Sequence, residues 1–248
     1  MNFKRYANYY DHFYKKKDYK GEIKKIHKIV NFKKRDKVLE VGCGTGKHTL
    51  ELIKYIDEID AIDKSKKMLS QARKIRKQIR NKNKINFYNT EAIKLGRKKY
   101  DKIVLFFHVF SYFIDNNYIL KTFKKFHKIL NSGGLVIFDY WNSDYIKKFK
   151  LRDSSRKIFF KKNSIKRAGK IEKIKKNVFQ IRYSFRIEKN KKIKKFFNET
   201  HIMRSFEKKD IIRLSKNLFT IKKLIRLDNL KKVSSKDFSA CVVLKKID

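Results

Sequence analysis

The hydrophobic positions of this chain follow a helical period first and then an alternation of strand and helix patterns. Ile23, Ile26, Ile29 and Val30 recur on one helix face, which predicts an amphipathic helix over residues 22–32. An aromatic-rich segment at 3–14 also predicts helix. Farther along, apolar runs predict strands at 37–41, 58–62, 85–88, 100–107 and 135–140, separated by predicted helices at 47–55, 66–80 and 117–130.

The pattern changes after about residue 150. Apolar side chains take every second position from Phe179 to Ile187, which is typical of an antiparallel strand with one buried face. Further strands are predicted at 156–160, 170–174 and 196–203, without long helices between them. A helix at 208–217 and strands at 219–226 and 238–244 complete the prediction. The order indicates an α/β fold with a parallel sheet, into which a small antiparallel sheet is inserted.

The composition gives the chain a strong positive charge. The 248 residues include 68 Lys+Arg and 24 Asp+Glu, a net charge of +44. Such a charge attracts polyanions, but abundant Lys, Asn and Ile without proline also follows from AT-rich codons. Residues 147–176 carry 14 Lys+Arg against 2 Asp+Glu, whereas residues 1–60 carry 15 against 9. A nucleic-acid partner therefore stays open beside the compositional explanation.

Other features of the composition narrow the class of protein. Hydrophobic residues make up 41% of the chain, enough for a sizeable core. No apolar run approaches the roughly 20 residues of a membrane helix, and residues 1–20 lack a secretory apolar segment. Two cysteines are too few for a disulfide framework, and the histidines and cysteines lack metal-ligand spacing. We expect a cytoplasmic protein with no membrane segment and no metal.

The strongest chemical signal lies directly after the first predicted strand. Gly42, Gly44 and Gly46 alternate after a run that ends in Glu40 and Val41, and a helical segment follows. Glycines at such a turn let a ligand approach backbone N–H groups. The spacing is Gly-x-Gly-x-Gly, which differs from the dinucleotide pattern Gly-x-Gly-x-x-Gly.

Asp63 strengthens this signal. It ends the second predicted strand, 21 residues after Gly42. An acid at this place accepts hydrogen bonds from ribose hydroxyls, although Asp63 could instead cap the helix that begins near Ser65. Glu40, the glycine turn and Asp63 together favour a ligand that contains a nucleoside.

These residues resemble a known family. The segment from Glu40 to Gly46 is similar to the first motif of class I S-adenosylmethionine-dependent methyltransferases, and Asp63 matches the acid that ends their second strand. Segments around Tyr10, around His108 and at 199–204 resemble one subgroup over nearly the whole chain. That subgroup comprises sugar-nucleotide N,N-dimethyltransferases and their uncharacterised relatives.

The resemblance implies a Rossmann-like, mostly parallel seven-stranded sheet with an inserted antiparallel β-subdomain. It implies four regions: an N-terminal helical lid at 1–34, a cofactor-binding core at 35–150, an inserted sheet at 151–206 that roofs the acceptor, and a C-terminal helix with the last two strands at 207–248. The implied cofactor is S-adenosyl-L-methionine. Its expected contacts are Tyr19, Glu40, Gly42, Gly44, Gly46, Asp63, Glu91 and Phe107, with Asn89 as a rival to Glu91 near adenine.

The acceptor is expected at the strand ends beyond the cofactor. His108 closes the fourth strand and is the candidate base, since histidine exchanges protons near neutral pH; a strand-end histidine bonded to the backbone is the alternative. Further candidates for the acceptor site are Tyr10 in the lid, Tyr140, Trp141, His201 and Arg204. Several of these residues have a simpler alternative. Tyr10 and Tyr19 could serve merely to pack the lid against the core, and Tyr140 and Trp141 merely to fill the edge of the core. Arg204 could be an exposed surface residue.

Some positions depart from the subgroup. Ile129 stands where the macrolide-sugar enzymes carry a histidine, and Asn142 with Ser143 stands where they carry a proline. Lys236 is the nearest counterpart of their phosphate-binding arginine. We therefore expect a methyltransferase that acts on N or O of a small molecule, with a nucleotide-linked or polysaccharide sugar as the leading acceptor. An RNA methyltransferase, a non-catalytic cofactor-binding protein and a homodimeric assembly stay open.

Overall fold

The core of the fold is a twisted sheet whose first five strands run parallel. The computed structural model describes residues 3–77, 84–160, 163–190 and 192–248. Its strands are β1 (Lys37–Val41), β2 (Glu58–Ile62), β3 (Lys84–Tyr88), β4 (Tyr100–Leu105), β5 (Leu130–Asn142), β6 (Ser154–Phe160), β7 (Asn163–Lys175), β8 (Val178–Lys189), β9 (Lys192–Phe206), β10 (Phe219–Ile225) and β11 (Ser239–Lys246). Its α-helices are α1 (Tyr10–Phe13), α2 (Tyr19–Val30), α3 (Lys47–Leu52), α4 (Lys66–Lys77), α5 (Asn116–Ile129), α6 (Ser143–Phe149) and α7 (Lys208–Ser215).

The strand order places a ligand crevice at the carboxyl end of β1. Strands β3, β2, β1, β4 and β5 lie side by side in parallel, and β11 and then β10 continue from β5 in antiparallel orientation. The direction of the chain across the sheet reverses between β1 and β4, which is where open α/β sheets bind ligands. The predicted Rossmann-like fold with a parallel core is confirmed.

The inserted strands form an antiparallel layer in the order β9, β8, β7, β6. This layer joins the core where β9 pairs with the end of β5, at Trp141 with Ser205 and Asn142 with Phe206. The alternation predicted around residue 183 is present: Phe179, Ile181 and Phe185 are buried, whereas Arg182 and Arg186 are exposed. The inner face of the insert therefore turns toward the N-terminal segment and the carboxyl ends of the core strands.

Helices form where the apolar spacing predicted them, and their ends follow the capping residues. Asp18 caps α2 by accepting a hydrogen bond from the Gly21 N–H at 2.8 Å, and Ile23 and Ile26 on its inner face are fully buried. Asp115 caps α5 in the same way through the Tyr118 N–H at 2.9 Å. No helix in the described ranges is long and apolar enough to cross a membrane.

Several elements differ from the prediction. The strand predicted at 170–174 is β7, which begins seven residues earlier at Asn163. The 3–14 segment is a short 3₁₀ turn (Tyr6–Asn8) followed by one turn of α1 instead of a single helix. Helix α6 was not predicted, and β4 ends at Leu105, two residues early. The last part of the predicted helix at 66–80 lies outside the described residues. The division into four regions stays a prediction.

Candidate active site

The glycine turn after β1 is shaped for a ligand on one side. Gly42, Gly44 and Gly46 all have positive φ angles, of 73°, 56° and 78°. A Cβ on Gly42 would lie 2.5 Å from the Val109 side chain, whereas a Cβ on Gly44 would meet nothing within 4 Å. Gly42 and Gly44 line a cavity of about 1040 Å³. Gly46 begins α3 instead and packs toward Ala72, away from that cavity.

Asp63 supports this turn and faces the same cavity. Its carboxylate accepts hydrogen bonds from the Gly44 N–H at 2.9 Å and from the Ser65 N–H at 2.7 Å. Burial raises the pKa of the Asp63 carboxyl, and these two hydrogen bonds oppose the shift. Asp63 therefore supports the turn before α4 and lines the cavity. The N-cap of α4 is Ser65, whose hydroxyl accepts from the Met68 N–H at 3.2 Å, so the capping alternative for Asp63 is wrong.

Glu91 rather than Asn89 lines the cavity on this side. Its carboxylate lies 3.4 Å from the Lys64 ammonium group. Asn89 donates to the Asp63 carbonyl oxygen at 2.9 Å and serves the turn between β2 and α4. The Asp63 and Glu91 carboxylates therefore lie at the same end of the cavity, together with the Lys64 ammonium group.

Glu40 lies behind the glycine turn and not on the cavity wall. It is 2% exposed and accepts a hydrogen bond from the Thr49 hydroxyl at 2.5 Å. The pKa of Glu40 is raised to about 8. Burial is the largest cause and the nearby Asp63 charge adds to it, whereas the Thr49 hydrogen bond lowers the pKa. A cationic group bound at the turn would favour the ionised form of Glu40.

The raised pKa of Glu40 makes stability depend on pH. The folded state disfavours the ionised carboxylate. The contribution of Glu40 to the free energy of unfolding is therefore largest at acid pH and is lost as the pH rises from 4.5 through about 8. Glu40→Gln is expected to remove this fall and to raise the free energy of unfolding at pH 8 by about 4 kcal/mol. Urea unfolding at pH 5 and pH 8 without ligand measures this. Glu51→Gln on the exposed side of α3 is the matched control, and an unchanged pH dependence in Glu40→Gln would contradict the burial argument.

His108 lies at the opposite end of the cavity in a strained backbone. Phe107 and His108 both have positive φ angles, 61° and 63°, directly after β4. Non-glycine residues pay about 1–3 kcal/mol each for such conformations, which cluster at functional sites. Both residues line the cavity.

Asp139 on β5 holds His108 in place. One carboxylate oxygen accepts a hydrogen bond from the His108 backbone N–H at 3.0 Å, and the other lies 3.0 Å from His108 Nδ1. Burial raises the pKa of the Asp139 carboxyl, but the charge and hydrogen bonds of His108 outweigh it, so the pKa lies below its ordinary value. An ionised Asp139 beside Nδ1 leaves Nε2 as the ring nitrogen for the cavity.

The N-terminal segment covers the cavity and is tied down on both sides. The Thr45 hydroxyl donates to Asp11 at 2.6 Å, which links the segment to the glycine turn. On the other side, Glu199 of β9 accepts hydrogen bonds from the backbone N–H groups of Phe3, Arg5 and Tyr6 at 2.7–2.9 Å. The expected lid therefore bridges the core and the inserted sheet.

The predicted aromatic residues of the lid both reach the cavity. Tyr10 and Tyr19 line it, and the Tyr19 ring packs edge-on to His48 with ring centroids 4.8 Å apart. His48 in turn lies 2.8 Å from Glu22 through Nε2. His48 thus lines the cavity beneath the lid and is held from behind by the half-buried Glu22.

Trp141 and His201, two of the predicted acceptor contacts, line the cavity. His201 is 1% exposed, and its Nδ1 lies 2.9 Å from the Tyr112 hydroxyl. Trp141 packs against Phe238 with ring centroids 5.4 Å apart. The walls here are mostly aromatic.

Tyr140 and Arg204 do not reach this cavity. Tyr140 is 2% exposed and packs in the main core on the other face of β5 from Trp141. Arg204 donates to the Ile114 carbonyl oxygen at 2.9 Å and to the Asn116 side chain at 2.7 Å, and it lies over the Phe206 ring. Both predicted acceptor contacts are therefore core or connecting residues in the structure.

Arg204→Met is expected to affect stability and not the acceptor. Loss of two hydrogen bonds to a loop carbonyl and a side chain should lower the free energy of unfolding by about 1–2 kcal/mol. The acceptor KM should stay unchanged, because the guanidinium group faces away from the cavity. Urea unfolding and steady-state kinetics measure the two effects, with exposed Arg213→Met as control. A rise in KM without loss of stability would restore the phosphate-binding interpretation.

Sequence reasoning missed several residues that line or support the cavity. Asp139 is an acid inside the apolar run from Val136 to Trp141, and such an interruption was the available signal. Tyr14 and Tyr112 carried no signal apart from aromatic character. Their positions depend on the folding of the lid and of the 3₁₀ turn Val109–Tyr112.

Part of the chain that forms this cavity matches a family of known proteins. Residues 38–134, from β1 to the start of β5, match the methyltransferase domain family. This segment is similar to a methyltransferase domain. The predictions of that domain and of S-adenosylmethionine as its cofactor are thereby confirmed. The glycine cradle, open beside Gly44, and the Asp63 carboxylate fit such a nucleoside cofactor.

Individual relatives extend the likeness beyond the methyltransferase domain. A protein of Geobacillus sp. strain WCH70, provisionally named a methyltransferase, is 26% identical over 145 residues, which cover 56% of this chain and 57% of that protein. The chain thus spans little more than half the length of the curated relatives it matches first.

Solved structures share the fold over nearly the whole chain. An S-adenosylmethionine-dependent methyltransferase from Clostridium acetobutylicum has a TM-score of 0.79 and 24% identity, with 98% of each chain covered. The sugar N-methyltransferase KedS8 from Streptoalloteichus has a TM-score of 0.78 and 15% identity, with 96% of this chain and 93% of that chain covered. The methyltransferase domain and the inserted sheet together therefore form a fold that occurs elsewhere.

Proposed function

We propose that this protein transfers a methyl group from S-adenosylmethionine to a nitrogen or oxygen atom of a small molecule. The observation that carries the proposal is the single cavity that joins the glycine turn and Asp63 at one end to His108 at the other. A lid and an inserted sheet close over it, which suits a reaction that must exclude water.

The residues of the cavity have separate roles in this proposal. Gly42, Gly44 and Asp63 hold the cofactor, and Glu91 lies near its base. When bound, S-adenosylmethionine would supply an electrophilic methyl group, to which the acceptor nitrogen or oxygen bonds as the methyl–sulfur bond breaks and S-adenosylhomocysteine leaves. His108 Nε2 accepts the proton that the acceptor loses, and Asp139 stabilises the protonated imidazole. Alignment of the acceptor by the aromatic walls supplies the rest of the rate increase.

A sugar is the acceptor class that we favour. KedS8 is a sugar N-methyltransferase by name, and its likeness to this chain extends over the inserted sheet. The apolar faces of a sugar ring pack on aromatic side chains, and Tyr10, Tyr112 and Trp141 offer such faces beside His108.

An RNA acceptor has less support from the cavity. Lys and Arg make up 68 of the 248 residues. Within the described ranges, however, the lysines and arginines that line the cavity are Lys47 and Lys64, both at the cofactor end. The exposed lysines of the basic 147–176 segment lie elsewhere. The positive charge of the chain is therefore not concentrated where an RNA base would have to enter.

Methyl transfer from labelled S-adenosylmethionine tests the proposal. The protein is incubated in parallel with a sugar-nucleotide and polysaccharide extract and with total RNA. Label is expected in the sugar fraction. Label in RNA alone would overturn the acceptor class, and cofactor binding without any transfer would favour a non-catalytic cofactor-binding protein.

A further inference from the structure

Arg167 on β7 is a half-buried cation held by aromatic rings. Its guanidinium group lies 4.8–5.8 Å from the ring centroids of Tyr6, Phe13, Tyr14 and Tyr183. Within the described ranges, no carboxylate lies at ion-pair distance from it. An arginine withdrawn from water ordinarily pairs with an acid, so this one has another role.

Two tyrosine hydroxyls take the place of the acid. Arg167 Nη1 donates to the Tyr6 hydroxyl and, at 3.2 Å, to the Tyr14 hydroxyl. Arginine only donates hydrogen bonds, so both hydroxyl oxygens act as acceptors here. Tyr6 is 2% exposed, and burial raises the pKa of its hydroxyl far above the ordinary value, so it keeps its proton.

The Tyr14 hydroxyl offers a hydrogen-bond donor to the cavity. The Tyr14 hydroxyl oxygen accepts from Arg167 Nη1 at 3.2 Å. Tyr14 is partly exposed and lines the cavity, and among the described residues no acceptor takes its own O–H, so this hydrogen is offered to the cavity.

The Tyr14 ring lies next to the expected point of transfer. It packs edge-on to Phe107, with ring centroids 4.9 Å apart and an interplanar angle of 88°. Phe107 directly precedes His108. A donor on Tyr14 and a base on His108 therefore address the same part of the cavity.

We propose that Arg167 is a positioning residue of the acceptor site, which turns the Tyr14 hydroxyl into an obligatory hydrogen-bond donor. The site accordingly selects a ring amine or alcohol that carries a second oxygen close to the atom to be methylated. This inference rests on the proposed function and adds the chemistry by which the acceptor is recognised.

A matched pair of small ligands tests the inference. Binding of trans-2-aminocyclohexanol and of cyclohexylamine is measured by calorimetry on protein saturated with S-adenosylhomocysteine. Wild-type protein is expected to bind the amino alcohol about 10-fold more tightly, because the amine offers no second oxygen to Tyr14. Arg167→Gln and Tyr14→Phe should each bring the two affinities within about 2-fold.

A double variant separates positioning from a structural role. If Arg167 acts through Tyr14, then Arg167→Gln in the Tyr14→Phe background should cause no further loss of preference. Arg167→Lys keeps a positive charge among the four aromatic rings and should lower the preference for the amino alcohol in part. This variant replaces Arg167→Gln in the test if Arg167→Gln does not fold. Arg182→Gln, on the outer face of neighbouring β8, is the matched control and should keep the full preference.

The outcomes distinguish this inference from the proposed function. Equal affinities in the wild type, binding of neither ligand, or additive losses in the double variant would overturn the role of Arg167 while leaving methyl transfer intact. Failure of wild-type protein to bind S-adenosylhomocysteine would overturn the proposed function and this inference together.

Discussion

Methyl transfer by the His108→Ala variant is expected to be slower by about 100-fold or more. His108 lines the cavity, is held by Asp139 and is the proposed general base, and removal of a general base costs this much. S-adenosylmethionine binding should change little, because the cofactor contacts lie at the other end. Single-turnover rates with labelled cofactor and binding by calorimetry measure the two quantities.

The strained backbone at His108 calls for a second variant. Asparagine tolerates a positive φ better than alanine does, so His108→Asn keeps the turn after β4 without supplying a base. We expect the same loss of rate in His108→Asn. His127→Ala on α5, where the ring bonds the Ile247 carbonyl oxygen, is the matched control. A near-normal rate in His108→Asn would make His108 a structural residue.

Asp139→Asn should change the pH dependence as well as the rate. The carboxylate stabilises a protonated His108, so without it the acid limb of the pH–rate profile should move to lower pH while the plateau falls. An unchanged profile with a lower rate would indicate that Asp139 only supports the backbone N–H of His108.

The sequence predicted the elements whose apolar pattern is local. Strands β1 and β2 match their predicted limits, because each is an apolar run bounded by charge and by glycine or aspartate. Helix α6 was missed because it has only seven residues, and it depends on the Asn142 cap and on packing of Ile146 beside Trp141. Short helices of this kind are stabilised by tertiary contacts that no local pattern contains.

The candidate site was predictable where backbone geometry decides it. The glycine turn and Asp63 follow from strand ends, and both lie at the cavity. Side-chain direction explains the two misplaced acceptor residues. Tyr140 is adjacent to Trp141 in β5, and Arg204 is adjacent to Met203 in β9, so neighbours point to opposite faces. Strand alternation alone would have assigned only one residue of each pair to the cavity.

Loss of the Asp63 side chain is the second change with a large expected effect. Asp63→Ala should weaken S-adenosylmethionine binding by about 1.5–3 kcal/mol, or about 10- to 150-fold in Kd, if the carboxylate accepts charge-assisted hydrogen bonds from ribose hydroxyls. Calorimetric titration of the cofactor measures this directly.

Asp63 also holds the glycine turn, so its two roles must be separated. The carboxylate accepts from the Gly44 and Ser65 N–H groups even without a ligand. Asp63→Asn keeps an oxygen acceptor for one of the two N–H groups and loses the negative charge, so it should retain more of the folding stability than Asp63→Ala and still bind the cofactor about 10-fold more weakly. If Asp63→Asn binds normally and Asp63→Ala loses affinity only in proportion to its loss of unfolding free energy, Asp63 supports the turn and does not hold the ribose. Weakened binding in both variants, with stability retained in Asp63→Asn, would assign the ribose contact to the carboxylate, because only the ligand then senses the missing charge.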